Sequence, residues 1–565
     1  MAAAAGELPE SARSVSASGH HHVGGLRYAF VLLAAACLLA LVAVWNGHPF
    51  MYADTPTYLR GAEMGATKIV GPNRLPAWVP ADRTAPSAGV ETRQQQQQQP
   101  QPTAAADAHG EDAGVIPMEA VAPAGSISSV EDKIVLAGRS VYYGALLYLS
   151  FLAGSLWLTV LVHGLCVAWV LHLVMVRLWR LPTTAFFATL AVLTVASPLA
   201  AFTGLLMPDV FAGLSILCIA VLGVYWDRVG RGTRWGLAAL LLFSLAGHGS
   251  HVALAVLLLA GAFVLRWMGR WQAVSLRGLG VAAACVAGAL VAEAAFNLAV
   301  TRALGAPPLR LPHLTGRLID MGPGTDYLRR HCATTKFAAC AYVSNYPTEW
   351  TAFLFSTDPD KGAFALADAA NKRRISEEQL DLAMAVLWHD PVGVLSGIGA
   401  DIVRQVVLFQ VDITGIGTDH LPMYAGRVPE SVFEGLQRSR TLDTHAAHDF
   451  FTTLTYASVG ASLLLAGALA WRRRQAGGGA TAHAGPPGFH AFAWVAVAGV
   501  LGNAVVCAAF ASSFERFQSR VIWIVPFLAL SWLALALQHR RTAACQGLVA
   551  QPASAPVSPL EGSTP

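Results

Sequence analysis

Apolar stretches close to the length of one bilayer crossing recur along almost the whole chain, separated by short polar connections. A helix rises about 1.5 Å per residue, so about 20 residues cross a hydrocarbon core. On that measure the pattern predicts crossings near 27–45, 154–176, 183–200, 209–226, 235–248, 251–267, 278–299, 451–470, 489–510 and 520–538. The expected fold is an all-α polytopic membrane protein of about ten transmembrane helices. A small extracytoplasmic α-rich domain is expected between the seventh and eighth. The fifth crossing is short, so it and the sixth are expected to form a tight hairpin around GHGSH.

The connections test this layout. Arginines fall in clusters: Arg177 and Arg180; Arg228, Arg231 and Arg234; Arg266, Arg270 and Arg277; Arg472 to Arg474; Arg540 and Arg541. With an even number of crossings and a cytoplasmic N-terminus, every cluster lies on the cytoplasmic side, as short loops of membrane proteins require. One missed helix would send half of them to the wrong face. The expectation is a multi-pass protein of the bacterial inner membrane with both termini cytoplasmic. Its first apolar segment is read as a retained helix, not a signal peptide. The chain then divides into a disordered N-terminus (1–26), a module of seven helices (27–299), an extracytoplasmic domain (300–450), a module of three helices (451–538) and a disordered tail (539–565). Within the outer loop 46–140, QQQQQQPQP and the Ala/Pro/Gly-rich residues around it cannot build a core, so 78–127 is expected to be a disordered insertion. PVGVLSGIGADIVRQVVLFQ at 391–410 is apolar enough to imitate a crossing. Asp401, Arg404 and Gln405 inside it favour an interfacial or packed helix.

Composition narrows the function classes. Only 13% of the 565 residues are charged and 55% are hydrophobic, against about 25% charged in soluble domains. The formal net charge of +4 is spread over membrane loops, and no nucleic acid is expected among the partners. Of eight cysteines, Cys37, Cys166, Cys218, Cys285 and Cys507 lie in apolar runs and read as packed small residues. Cys332 and Cys340 lie close together in the outer region, where an oxidising compartment permits a disulfide. There is no Walker A pattern, no dinucleotide glycine signature and no cytoplasmic loop large enough for a nucleotide-binding domain. ATP-driven transport by this chain alone is not expected.

Unusual polar residues gather on the outer side. Asp54 and Tyr58 lie in FMYADTPTYL, Asp209 in LMPDVFAG, His248 and His251 in GHGSH, and Glu515, Arg516, Gln518 and Arg520 in FERFQSR. Carboxylates here can take a proton or hold a divalent cation, and arginines can hold phosphate oxygens bidentately. Plainer roles stay open. Asp209 can cap the helix that follows Pro208, Asp54 can close an Asx turn, and external arginines can bind lipid headgroups. The two histidines lack an evident third ligand. Inside the expected crossings, Glu293 is the clearest ionisable residue.

An inward N-terminus, a long first outer segment with an early aspartate, and a second acidic residue near the start of a later helix resemble the GT-C superfamily. These are integral membrane glycosyltransferases that use polyprenyl-phosphate-linked sugars. YADTPTYL, LMPDVFAG, PHLTGRLIDMGPGTDYLRRHC and RFQSRVIWIVPFLAL also look like segments of an uncharacterised group of bacterial membrane proteins. The resemblance implies transfer of a sugar from a polyprenyl-phosphate carrier to an extracytoplasmic envelope acceptor. Asp54 matches the first-loop acidic residue, a catalytic base or metal contact, and Asp209 the second acidic position, so both are candidates to hold a divalent cation. Arg516 and Arg520 take the place of residues on the lipid phosphate. Tyr58, His248, His251 and Gln518 are candidate substrate contacts. The alternatives are a transporter or flippase for an envelope glycolipid, or a non-catalytic envelope assembly protein.

Overall fold

The computed structural model describes residues 11–71, 74–79, 134–137, 139–415, 417–442, 445–475 and 486–549. Among them the fold is all-α, with no sheet and only two isolated bridges, Phe50 with Leu205 and Leu136 with Leu309. The first module comprises α1 (Ser11–Asn46), α2 (Thr55–Val70), α3 (Val141–Leu152), α4 (Trp157–His172), α5 (Thr183–Ala196), α6 (Leu199–Gly204), α7 (Val210–Tyr225), α8 (Arg231–Gly247), α9 (Gly249–Trp267) and α10 (Leu276–Leu304). The region between modules holds α11 (His313–Met321), α12 (Pro323–His331), α13 (Trp350–Phe355), α14 (Ala369–Glu377), α15 (Gln379–His389), α16 (Pro391–Val407) and α17 (Glu430–Gln437). The last module is α18 (His445–Gln475), α19 (Phe489–Phe510), α20 (Glu515–Ile522) and α21 (Ile524–Val549).

Among the described residues, eight helical stretches are long and apolar enough to cross a membrane, and up to nine if the bent pair α15–α16 counts as one. Each of the ten expected crossings is helical, but two fall short. The crossing expected at 183–200 is the shorter apolar helix α5, and that expected at 235–248 is α8, which spends its first turn on Arg231 and Arg234. The expected insertion at 78–127 lies, from residue 80 on, outside the described residues. The chain edges differ from expectation: α1 begins at Ser11 and α21 continues to Val549. The remaining tail residues lie outside the described ones.

Helix α7 is the axle of the membrane part. It is apolar all round and all but Val224 of its residues are buried, the signature of a helix with neighbours on every side. Lipid supplies little hydrophobic drive for helix association, so close backbone approach at small residues has to hold the bundle. Gly278 of α10 sits so near the Leu222 carbonyl that a Cβ would fall 1.8 Å from its oxygen, and Gly164 of α4 lies against the Ala36 backbone of α1. A second core, separate from the membrane core, takes Ile134 from the first outer loop and residues from Leu309 to Val394, and is built on Ile319, Phe353, Leu354, Phe364 and Val386. Cys332 and Cys340 are joined by a disulfide at its edge.

Candidate functional site

Backbone pairing brings the distant polar segments together. After α1 the chain turns at Gly47, whose φ of 83° suits glycine. Phe50 then bonds to the segment that ends α6: its N–H donates to the Gly204 carbonyl at 3.0 Å and its carbonyl accepts from Leu206 at 2.9 Å. The Thr55 hydroxyl reinforces this by donating to the Leu206 carbonyl. FMYADTP and LLMPD are thereby held side by side. A second clip, between Val135–Ala137 and Leu309, delivers Arg139 just ahead of α3.

The two aspartates stand at the first turns of α2 and α7, yet neither side chain caps its helix. Asp54 instead accepts from Arg139 at 2.7 Å. Asp209 is 2% exposed and lies 3.6 Å from Arg516 and 3.7 Å from Arg520, beyond hydrogen-bond range for either. The Arg516 guanidinium lies over the Tyr52 ring, 3.9 Å from its centroid. Arg520 donates to Ser250 at 3.1 Å and to Asn503 at 3.0 Å.

The remaining sequence candidates divide into lining and scaffold. His248 caps α9, its Nδ1 accepting from the Ser250 N–H, and its ring lies 5.3 Å from that of His251. His251 donates from Nδ1 to the Ser244 carbonyl and leaves a buried Nε2 without a partner. Tyr58 packs edge-on against Tyr143 with its buried hydroxyl also unpartnered. Gln518 is scaffold: its carbonyl accepts from Asn503 and its amide donates to the Val500 carbonyl. Glu293 stands apart, paired with Arg310 in an exposed position.

Four participants escaped the sequence reading. Arg139 pairs with Asp54, and Arg427 donates to Thr57 at 3.2 Å. His313 lies within the fields of Arg139 and Asp54, and Asp412 within those of Arg516 and Asp209. Nothing local in LAGRS, AGRVP or QVDIT separates these residues from ordinary loop polars.

Buried polar atoms are nearly always hydrogen-bonded, so the exceptions carry information. Among the described residues fourteen buried side-chain nitrogen and oxygen atoms lack a partner, and nine belong to this cluster. They include Nε and Nη1 of Arg516, Nε of Arg520, Nε of Arg139, and Oδ1 of both Asp209 and Asp412. Four guanidinium groups face three carboxylates, with Glu515 acting on Asp412 and Arg60 on Arg427 from the margins.

The carboxyls differ in protonation. Burial alone would raise Asp54, but Arg139, Arg516 and Arg427 outweigh it and hold the group below the ordinary carboxylate range. Burial pushes Asp412 up to about 7, with Arg516 opposing and Glu515 adding to the rise. His313 is driven down to about 4 by burial and then by Arg139, so its ring is neutral near pH 7. Asp54 and Asp209, the pair expected as candidates for a divalent cation, each lie against arginine. No group of three or more metal-binding side chains occurs among the described residues. The unspent arginine donors fit an anion such as phosphate.

Compared with protein-family models, curated proteins and solved structures, the chain finds no match. It is a multi-span, largely helical membrane protein.

Proposed function

We propose that this protein transfers a sugar from a polyprenyl-phosphate carrier to a cell-envelope acceptor, on the extracytoplasmic side of the bacterial inner membrane. The observation that supports this most is the pair Arg516 and Arg520. Both are buried, both hold N–H donors unused by the chain, and both stand at the start of the last membrane-spanning stretch. A lipid phosphate at the membrane edge is an anion of the right charge at the right depth. The arginine clusters of the short loops and the Cys332–Cys340 disulfide agree with the assigned sides.

In this reading the acceptor oxygen attacks the anomeric carbon while the bond to phosphate oxygen breaks. The electron pair leaves with the polyprenyl phosphate, whose growing charge is met by Arg516 and Arg520. The acceptor proton passes to Asp54, which is ionised and partly open to approach, its side chain retaining 25% of its exposure. Arg139 holds that carboxylate in place. Asp209 fixes the two arginines before the lipid arrives.

The test uses polyprenyl-phosphate-linked sugars extracted from native membranes, with the purified full chain in vesicles. Release of free polyprenyl phosphate and loading of acceptor are followed together. Asp54→Asn is expected to abolish both while Arg520→Gln also weakens donor binding. Near-wild-type turnover in Asp54→Asn removes it from the mechanism. Absence of any release by the wild-type chain removes sugar transfer itself.

A further inference from the structure

We propose that the elbow of α15 and α16 is seated in the bilayer leaflet nearest the arginine cluster, its outer stripe against acyl chains, as the lipid-side wall of the site. This rests on the chain spanning a membrane and not on sugar transfer.

The elbow is built into the sequence. Pro391 disfavours helix at the residue before it, and the two helices meet at 108°. Asp390 then restarts the chain as cap of α16, accepting from the Gly393 N–H at 2.8 Å. Of the polar residues that argue against a membrane position, Gln405 and Asp401 are turned into the protein, while Asp381 of α15 and Arg404 of α16 are exposed at the edges of the stripe. Gln405 is fully buried and exchanges two hydrogen bonds with Phe514, at 2.9 Å and 2.8 Å. Asp401 pairs with Arg317 and accepts from Ser513. Arg404, at the edge of the stripe, acts on Asp320 and has the reach to carry its charge to a membrane surface.

The other face is apolar. On α15, Leu380, Met384 and Trp388 recur at four-residue spacing, and Trp388 is 79% exposed. On α16 the stripe continues through Val392, Leu395, Val403 and Val407, with Val392 75% and Val403 70% exposed. Small residues fill the interval: Gly399, Ala400 and Ser396, whose hydroxyl donates to the Gly393 carbonyl of its own helix. A run of large apolar side chains on two successive helices is not an ordinary water-facing surface.

Continuity with the spanning helices selects lipid as the occupant. The end of α16 is tied to α18, where the Tyr456 hydroxyl donates to the Val407 carbonyl at 2.8 Å and its ring stacks on Phe409 at 4.1 Å. Tyr456 lies inside a membrane-spanning stretch, so the exposed Val407 is set beside that helix. Phe450 of α18 and Phe510 of α19 are exposed on the same spanning helices that flank it. A tryptophan at the elbow is the residue expected where acyl chains meet headgroups. The wall also reaches the chemistry. Gln405 holds Phe514 in the position before Glu515, and so sets the start of α20, which carries Arg516 and Arg520.

A genetically encoded nitroxide side chain tests this in the full chain in phospholipid vesicles, with native cysteines left in place. It is introduced singly at Val392, Leu395, Val403 and Val407, with Glu434 of α17 as the exposed polar reference. Power saturation then compares collisions with oxygen, which concentrates in acyl chains, and with a water-soluble nickel chelate. The expected result is an oxygen-to-nickel ratio several-fold higher at the four stripe positions than at Glu434. A ratio equal to that of Glu434 places the stripe in water and overturns the proposal. Suppression of both collisions places it against a second copy or another protein, and overturns it equally. Four positions keep the test standing if one label disturbs folding.

Discussion

Replacing Asp209 by asparagine separates two accounts of this residue that the sequence leaves open. If Asp209 capped α7, asparagine would serve nearly as well as aspartate, and alanine would cost about 1 kcal/mol. The structure has no such cap bond. It has a carboxylate 3.6 Å and 3.7 Å from two guanidinium groups. At an effective dielectric of about 20, each contact carries roughly 4.5 kcal/mol of gross attraction. Desolvation of the ions offsets much of it, but removing one member leaves the partners buried and uncompensated, a loss of about 3–5 kcal/mol. Asn and Ala are therefore expected to destabilise the protein alike. Each should also gain more from added inorganic phosphate than the wild type does, because an anion replaces the missing charge. Thermal unfolding of the three proteins in detergent, with and without phosphate, reads both effects. An Asp209→Asn protein with wild-type melting and an unchanged phosphate response would refute the ion-pair argument. Recovery by Asn but not Ala would restore the cap.

Other expectations follow from single features. A Cβ at Gly213 would fall 2.6 Å from the Trp523 ring, so Gly213→Ala should cost about 1–3 kcal/mol by overpacking, read as a lower melting temperature. Asp412 titrates near 7 in the folded chain, above its ordinary value of 3.8; the folded state thus binds the extra proton between those values, and stability falls as pH rises from about 4 to 7. Asp412→Asn should flatten that slope and stabilise the protein above pH 7, which unfolding curves across this range will show. The Cys332–Cys340 loop spans 8 residues, so chain entropy predicts about 2.5 kcal/mol lost on reduction, measurable as faster proteolysis between residues 309 and 394 in reductant.

The spanning helices were legible because a lipid solvent demands long apolar runs, and local composition reports them directly. Asp54, Asp209, Arg516 and Arg520 were legible for a related reason: a charge flanked by such runs is costly unless used. Arg139, Arg427, His313 and Asp412 were not, since their roles depend on pairings such as Arg139 with Asp54, 85 residues apart, and Arg427 with Thr57, 370 apart. Gln518 shows the converse. Its position among candidate contacts was readable, but its amide is consumed by Asn503 and Val500. Helix α5 ends at Ala196, short of the apolar run that predicts it, and α8 starts at Arg231, ahead of its run, because apolar character alone does not report where a helix begins or ends.

The central claim is that Arg516 and Arg520 receive the phosphate of a lipid carrier. The most direct measurement is a cryo-EM structure of the full chain in lipid nanodiscs with added polyprenyl phosphate. The account predicts phosphate density within hydrogen-bond distance of both guanidinium groups, beside Asp209, with the isoprenoid tail leaving into the membrane. Phosphate bound elsewhere, with Arg516 still over Tyr52 and Arg520 still bonded only to Ser250, Asn503 and Cys507, would contradict it.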